Sequence, residues 1–374
     1  MRLLQVVTLV SPDGAFGGPV RVADNQAAAL RARGHTVVIA AGQTGYGRSI
    51  PSELNGTPLR LFPIQHLVKG TPAYSGATSV GLLRWLRGAV RDFDMVHVHF
   101  ARDLISLPAA AMVGRAGVPY VLQPHGMVIP SGHPFAGALD ALLTRRVLRG
   151  ATAVLHLTDA ERRGLAEVGG QELRLRHLGN GVPEAPPAVP PSVPRVLFCS
   201  RLQARKRPLR FVEMAVQLLT EGVDAEFVLI GPDGGEGRGV RTAVERHGDP
   251  ARLRWEGPVE PAEVMTRLGS ASLLVLPSVD EPFPMAVLEA LSVGLPVVVT
   301  DSCGLASQVR EHECGIVVDG SQQQLVHAVR SMLTEPQTLA RMSRAARDTS
   351  ARNFGMTSVV GQLEAIYMSS RPKR

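Results

Sequence analysis

Two glutamates eight residues apart, Glu281 and Glu289, bound the run Glu281-Pro-Phe-Pro-Met-Ala-Val-Leu-Glu289. The first follows an apolar stretch, Leu273 to Pro277, with the length and flanks of a buried parallel strand. The second sits among Ala286, Val287, Leu288, Ala290 and Leu291, about two turns into a short helix that Gly294 ends. A carboxylate in such apolar company needs a partner, because an uncompensated buried charge is costly. Pro284 suits the first helical turn, where its missing N–H costs nothing. Loop and helix N-terminus fall at the carboxyl end of a parallel strand, where open α/β sheets bind ligands. Helix amides there favour a phosphate, and carboxylates around it accept hydrogen bonds from sugar hydroxyls. That chemistry points to a nucleotide-sugar. Two solvated surface glutamates are the ordinary alternative, and the apolar context weighs against it.

A second set of residues suits the same ligand. In Ser200-Arg201-Leu-Gln-Ala-Arg-Lys206-Arg-Pro208, Arg201 ends a strand and Lys206 follows five residues later, so both cations can converge on one diphosphate. Arg205, Arg207 and Arg210 show that the loop is basic in any case. Gly17-Gly18-Pro19 lies between the first strand and the first helix, where glycine lets backbone approach a ligand. It is not a Gly-x-Gly-x-x-Gly fingerprint, so a dinucleotide is unsupported. Pro124-His125-Gly126 again follows a strand, although a lone histidine is most often structural. His97 and His99 share one face of a strand, yet no third ligand of suitable spacing makes them a metal site. Asp92-Phe-Asp94 has an Asp-x-Asp form that a capping or solvated role explains better than a metal.

From about Leu3 to about Tyr367 the pattern resembles the retaining glycosyltransferases of family 4, which carry a Glu–seven residues–Glu signature. The resemblance implies an α/β GT-B fold of two doubly wound Rossmann-like domains facing across a cleft. It implies that Arg201 and Lys206 bind the donor diphosphate, Glu289 the ribose hydroxyls and Glu281 the sugar hydroxyls near the reacting carbon. His125 would stand beside the donor sugar, for positioning and electrostatics. Gly17 and Gly18 would touch the donor phosphates or the acceptor, Gly231 would line the cleft, and Val259 would belong to the segment bracketing the base. Pro284 stands where the family usually has glycine, so Met285 and Ala286 would supply the donor-binding amides. Arg207 stands where glycine is also common. No metal and no cofactor beyond the co-substrate is implied. The expected reaction moves a hexose from a UDP- or GDP-linked donor to a hydroxyl of a lipid-linked or glycan acceptor, in cell-envelope or exopolysaccharide synthesis. A nucleotide-sugar epimerase and a non-catalytic binding scaffold are the rival readings.

The elements that must position these residues are legible as a β/α alternation. Val6 to Val10, Val37 to Ala41, Met95 to Phe100 and Tyr120 to Gln123 are apolar strands with helical patterns between them, including one through Ala23 to Arg33. Pro183 to Pro194 holds six prolines in twelve residues and forms the expected interdomain linker. A second alternation follows, with strands at Arg195 to Cys199, Ala225 to Ile230 and Pro296 to Thr300. The expected domains are residues 1–182, 195–355 and a helix over 356–374 that crosses back to the first domain, with a frayed basic tail.

At 374 residues the chain is long enough for two cores, which 4% aromatic content leaves to Val, Leu, Ala and Ile. Cys199, Cys303 and Cys314 lack metal spacing and suit a reduced, cytoplasmic protein. The expected location is cytoplasmic, because Met1 runs straight into a strand without a cleavage pattern, and no apolar run is long enough for a transmembrane helix. Residues 1–185 hold 19 Lys and Arg against 12 Asp and Glu, while residues 186–374 hold 21 against 21, so the net charge of +7 belongs to the first half. Arg84, Arg87 and Arg91 around Trp85, and Arg145, Arg146 and Arg149, form basic clusters that fit a solvated face or an anionic membrane surface equally well. Trp85 is the single aromatic between these cations, too few for a nucleic-acid surface.

Overall fold

The computed structural model describes residues 1–12, 17–47, 49–67, 76–131, 134–189 and 191–370. Gly14, which precedes the Gly17-Gly18 pair, and the basic tail Arg371 to Arg374 lie outside the described residues. The chain divides into two compact units, one holding residues 1–12, 17–181 and 356–370, the other residues 182–355.

The first unit is built on an eight-stranded sheet in the order β10-β9-β8-β7-β1-β2-β4-β3. Its strands are β1 (Arg2–Val10), β2 (Thr36–Gln43), β3 (Glu53–Leu54), β4 (Thr57–Pro63), β7 (Met95–His99), β8 (Tyr120–Gln123), β9 (Ala153–His156) and β10 (Leu175–His177). All pairs are parallel except β3 with β4. A separate hairpin joins β5 (Gln65–His66) and β6 (Ala77–Thr78). Alternation along β1 shows why its apolar run is continuous: Leu4 and Val6 enter one core, Leu3 and Val7 the core on the opposite face. The second of these cores is closed by two helices, Gly17–Ala32 through Ala23, Ala27 and Leu30, and Met356–Ser369 through Val359, Val360, Leu363 and Tyr367. Glu364 of the latter pairs with Arg33 and His35 at 2.8 and 2.7 Å.

The second unit has a fully parallel six-stranded sheet, β13-β12-β11-β14-β15-β16. These are β11 (Arg195–Cys199), β12 (Glu226–Ile230), β13 (Leu253–Trp255), β14 (Leu273–Leu276), β15 (Val297–Thr300) and β16 (Gly315–Val318). Helices Pro208–Thr220, Met285–Ser292 and Gln322–Thr334 contribute Phe211, Leu288 and Val329 to its core. The chain enters this unit at Val182 and leaves it at Gly355, and these residues form an isolated bridge with each other. The proline-rich segment expected as a tether over 183–194 is bonded along this unit. Ala188 N–H donates to Val293 O at 2.7 Å and Val189 N–H to Gly269 O at 2.8 Å.

Two local expectations are corrected. Gly17-Gly18-Pro19 is not a loop ahead of the first helix but its opening turn, a place that tolerates proline because first-turn amides have no intrahelical acceptor. Pro284 is not inside its helix; with ψ of 115° it is the extended N-cap, and Glu289 lies in the helix's second turn.

Candidate active site

In the second unit, the carboxyl ends of β11, β12 and β14 carry the expected donor residues. Gly231, directly after β12, has φ of 136°, and a Cβ there would stand 2.1 Å from Ser200 O. Glycine is therefore required by the crossing of two loops, whatever else binds there. Trp255 Nε1–H donates to Gly231 O at 3.0 Å, while Val259 packs against the core. The stem of half-buried Arg201 lies over Gly234, where a Cβ would approach Arg201 Cγ and Cδ to 2.8 Å. Asp233 accepts from Gly235 and Gly237 N–H at 2.8 Å each, and these amides lower its carboxyl from the usual range.

Lys206 and Glu281 form a close ion pair between largely buried side chains, 12% and 10% exposed. Burial lowers the Lys206 ammonium, and the adjacent carboxylate opposes that shift. Arg205 stands 3.7 Å from the same Glu281 oxygen and donates to Asp280 O at 3.1 Å, while Val279 N–H donates back to Arg205 O at 2.9 Å. This two-way clasp spans Asp280, whose φ of 49° is left-handed. Gly304 N–H donates to Glu281 O at 2.8 Å, and a Cβ on Gly304 would collide with Pro282 O. Glu281 is thus fixed at side chain and main chain. Glu289 is buried at 5% exposure on helix Met285–Ser292, and no side chain caps that helix at Pro284. Its Met285 and Ala286 amides belong to the orphan first turn, which suits them to an anion. Arg207, between Lys206 and helix Pro208–Thr220, adopts φ 52°, ψ 48°, a conformation that glycine takes without strain.

The first unit holds a different arrangement. Pro124-His125-Gly126-Met127 is a tight turn with φ of 54° at His125 and 75° at Gly126, closed by Met127 N–H on Pro124 O at 2.9 Å. Two consecutive positive φ values mark the turn as type I′, which is costly for histidine and easy for glycine. His125 Nε2 and His99 Nδ1 are 2.8 Å apart, the two rings lying edge to edge and nearly parallel with centroids 5.1 Å apart. His99 in turn stacks on His97 at 4.8 Å, and His97 Nδ1 meets the Tyr367 hydroxyl at 2.7 Å. Gln5 Oε1 lies 3.4 Å from His99 Nε2. Burial lowers His97 and His125 to about 3, and lowers His99 well below its ordinary value. All three are neutral at pH 7. Behind the turn, Glu161 accepts from Gly126 N–H at 2.6 Å and from Leu157 N–H at 2.7 Å. Burial pushes its carboxyl up, and the two amides oppose that.

Arg201, Lys206, Gly231, Val259, Glu281, Met285, Ala286 and Glu289 therefore lie in the second unit, and Gly17, Gly18 and His125 in the first. Asp94 accepts from Arg2 N–H at 2.8 Å, a structural role. Among the described residues no group of three His, Cys, Asp or Glu could hold a metal ion. Sequence reasoning missed Arg205, Tyr367, Glu161 and the contact of His99 with His125. Only Glu161 had a local signal: Thr158-x-x-Glu161 is a capping-box pattern, and Thr158 Oγ1 does accept from Glu161 N–H at 3.1 Å.

Residues 17–181 match the model "Glycosyl transferase 4-like domain", and residues 185–349 match "Glycosyl transferases group 1". The chain is 26% identical to D-inositol 3-phosphate glycosyltransferase 1 of Catenulispora acidiphila over 82% of this chain and 79% of that one. It is 28% identical to alpha-D-kanosaminyltransferase of Streptomyces kanamyceticus over 83% and 87%. In fold it is similar to Anabaena HepE, solved with UDP and glucose, with a TM-score of 0.77 at 18% identity over 97% of this chain and 99% of that one.

Proposed function

Because the chain is a glycosyltransferase of the GT-B superfamily, we propose that it moves a hexose from a UDP- or GDP-linked donor to a hydroxyl, retaining anomeric configuration as family 4 enzymes do. The observation that carries this reading is the Lys206–Glu281 pair, fixed by Arg205 and Gly304 at the mouth of a parallel sheet beside an uncapped helix N-terminus. A diphosphate needs cations and amides; a sugar needs carboxylates. Arg201, Lys206 and the Met285 and Ala286 amides offset the charge that develops on the leaving diphosphate, and electrostatic stabilisation of that kind is a large catalytic term. Glu289 accepts the ribose hydroxyls and Glu281 those of the sugar. His125, neutral, orients the sugar and disperses charge without acting as a general base. Gly17, Gly18, Gly231 and Val259 supply backbone around donor or acceptor. No metal takes part.

The acceptor reading is a lipid-linked or glycan hydroxyl in cell-envelope or exopolysaccharide synthesis. A second reading rests on relatives named for D-inositol 3-phosphate and 2-deoxystreptamine, which favour a small polyhydroxylated ring. Contact of the first unit with an anionic membrane is supported by Leu142, 79% exposed, beside exposed Arg145 and Arg146. Sedimentation with phosphatidylserine vesicles tests that contact.

The donor site is tested by melting wild type and Lys206→Ala with UDP, GDP and ADP, with and without magnesium. Selective binding to the folded state raises the melting temperature. One nucleotide stabilising only the wild type, independently of magnesium, supports the site; no shift from any of them moves weight to a non-catalytic scaffold.

A further inference from the structure

The left-handed turn at His125 demands an explanation. Histidine is not a residue that takes φ of 54° without cost, and a side chain so placed persists only when its surroundings over-determine it. His99 fixes the imidazole, but a ring contact does not hold a backbone. The backbone is gripped at the next residue, where Gly126 N–H meets Glu161 Oε1 at 2.6 Å.

The geometry of Glu161 is unusual for its position. It is the third residue of helix Asp159–Gly169, whose N-cap is Thr158. In an ordinary capping box its carboxylate would reach back to the N-cap amide. Here one oxygen takes the Leu157 amide, one residue earlier, and the other leaves the helix for the His125 turn. The side chain is 4% exposed, and among the described residues it pairs with no cation. Each of its two oxygens accepts from one backbone amide, and the two amides come from two different loops at the carboxyl edge of the sheet. A carboxylate can do this and an amide cannot, because glutamine offers only one acceptor atom.

We propose that Glu161 is a positioning residue of the transferase reaction, holding the His125-Gly126 turn in its left-handed form so that the imidazole is presented ready-made to the donor sugar. This rests on the proposed role of His125. Pre-organisation of this kind acts on turnover rather than on nucleotide binding.

The test is a double-mutant cycle of Glu161→Gln with His125→Ala. Turnover is read as donor hydrolysis, water taking the glucosyl group of UDP-glucose or GDP-glucose as the nucleoside diphosphate leaves, with the donor chosen by which nucleotide raises the wild-type melting temperature. Glu161→Gln is expected to lower kcat about tenfold, the size of one lost charge-assisted hydrogen bond, with KM for the donor unchanged. In the His125→Ala background it is expected to cost nothing further. Amide exchange supplies a readout independent of activity: the Gly126 amide should lose protection in Glu161→Gln. Should that protein fold poorly, Glu161→Asp keeps the charge, shortens the arm and is expected to show the same pattern. Equal kcat losses in both backgrounds, or unchanged protection at Gly126, would overturn the proposal. If His125→Ala alone leaves kcat intact, the His125 reading fails, and the exchange result still decides whether Glu161 holds the turn.

Discussion

The second unit's site around Lys206 and Glu281 and the first unit's site around His125 solve opposite electrostatic problems. The first is a charged site made tolerable by pairing: a largely buried ammonium meets a largely buried carboxylate, with Arg205 behind it. The second is a polar site kept uncharged, three histidines in series from Tyr367 to the His125 turn, all neutral because burial disfavours their cations. A buried pair is costly to break, since removing one partner strands the other's charge. A neutral string carries no such penalty, and its strain sits in the backbone instead. Charge handling and shape handling are thus divided between the two units.

The largest expected effect breaks the charged half. Lys206→Ala should lower turnover about a hundredfold or more, measured as nucleotide release, and abolish the thermal shift by nucleotide. Wild-type turnover in that variant would show that the ammonium serves only to neutralise Glu281. His125→Ala should reduce kcat roughly ten- to a hundredfold while calorimetry finds nucleotide affinity unchanged, which sharpens the contrast between binding and positioning. Glu289→Gln should weaken nucleotide binding by about tenfold, and a 2′-deoxy nucleotide should narrow the gap between the two proteins. An unchanged affinity would remove the ribose contact.

A fourth test uses pH. His97 and His125 titrate at about 3 in the folded chain against 6.5 ordinarily, so the unfolded chain binds more protons between those values. Stability contributed by this string is full above pH 6.5 and is lost as pH falls towards 3. The melting temperature should drop across that window, less steeply in His97→Gln, and kcat should show no inflection from His125 between pH 5 and 8. The smallest effect concerns Arg207, whose φ of 52° costs an L-residue about 1 kcal/mol. Arg207→Gly should raise the melting temperature by roughly 2–4 °C.

Much of this was legible beforehand. Tyr120–Gln123 and Arg195–Cys199 were delimited to the residue, because a strand buried on both faces is a short uninterrupted apolar run. Boundaries failed where one residue type fits two neighbouring positions: Pro284 suits both the N-cap and the first turn, and Gly17-Gly18 both loop and helix start. The Lys206 and Glu281 candidacies came from position along strands. That the two touch did not, because their 75-residue separation leaves no periodic trace.

Sequence by itself determined a β/α alternation in each half with mainly parallel pairing, the strand ends at which chemistry could be placed and the excess positive charge of the first half. These are local properties, written in apolar periodicity, glycine, proline and charge. Tertiary structure decided which polar groups are partners: Lys206 with Glu281, His99 with His125, Tyr367 with His97, Glu161 with Gly126. It also decided that the histidines are neutral. Burial and pairing depend on residues brought together from distant segments, and no pattern within a single segment encodes them.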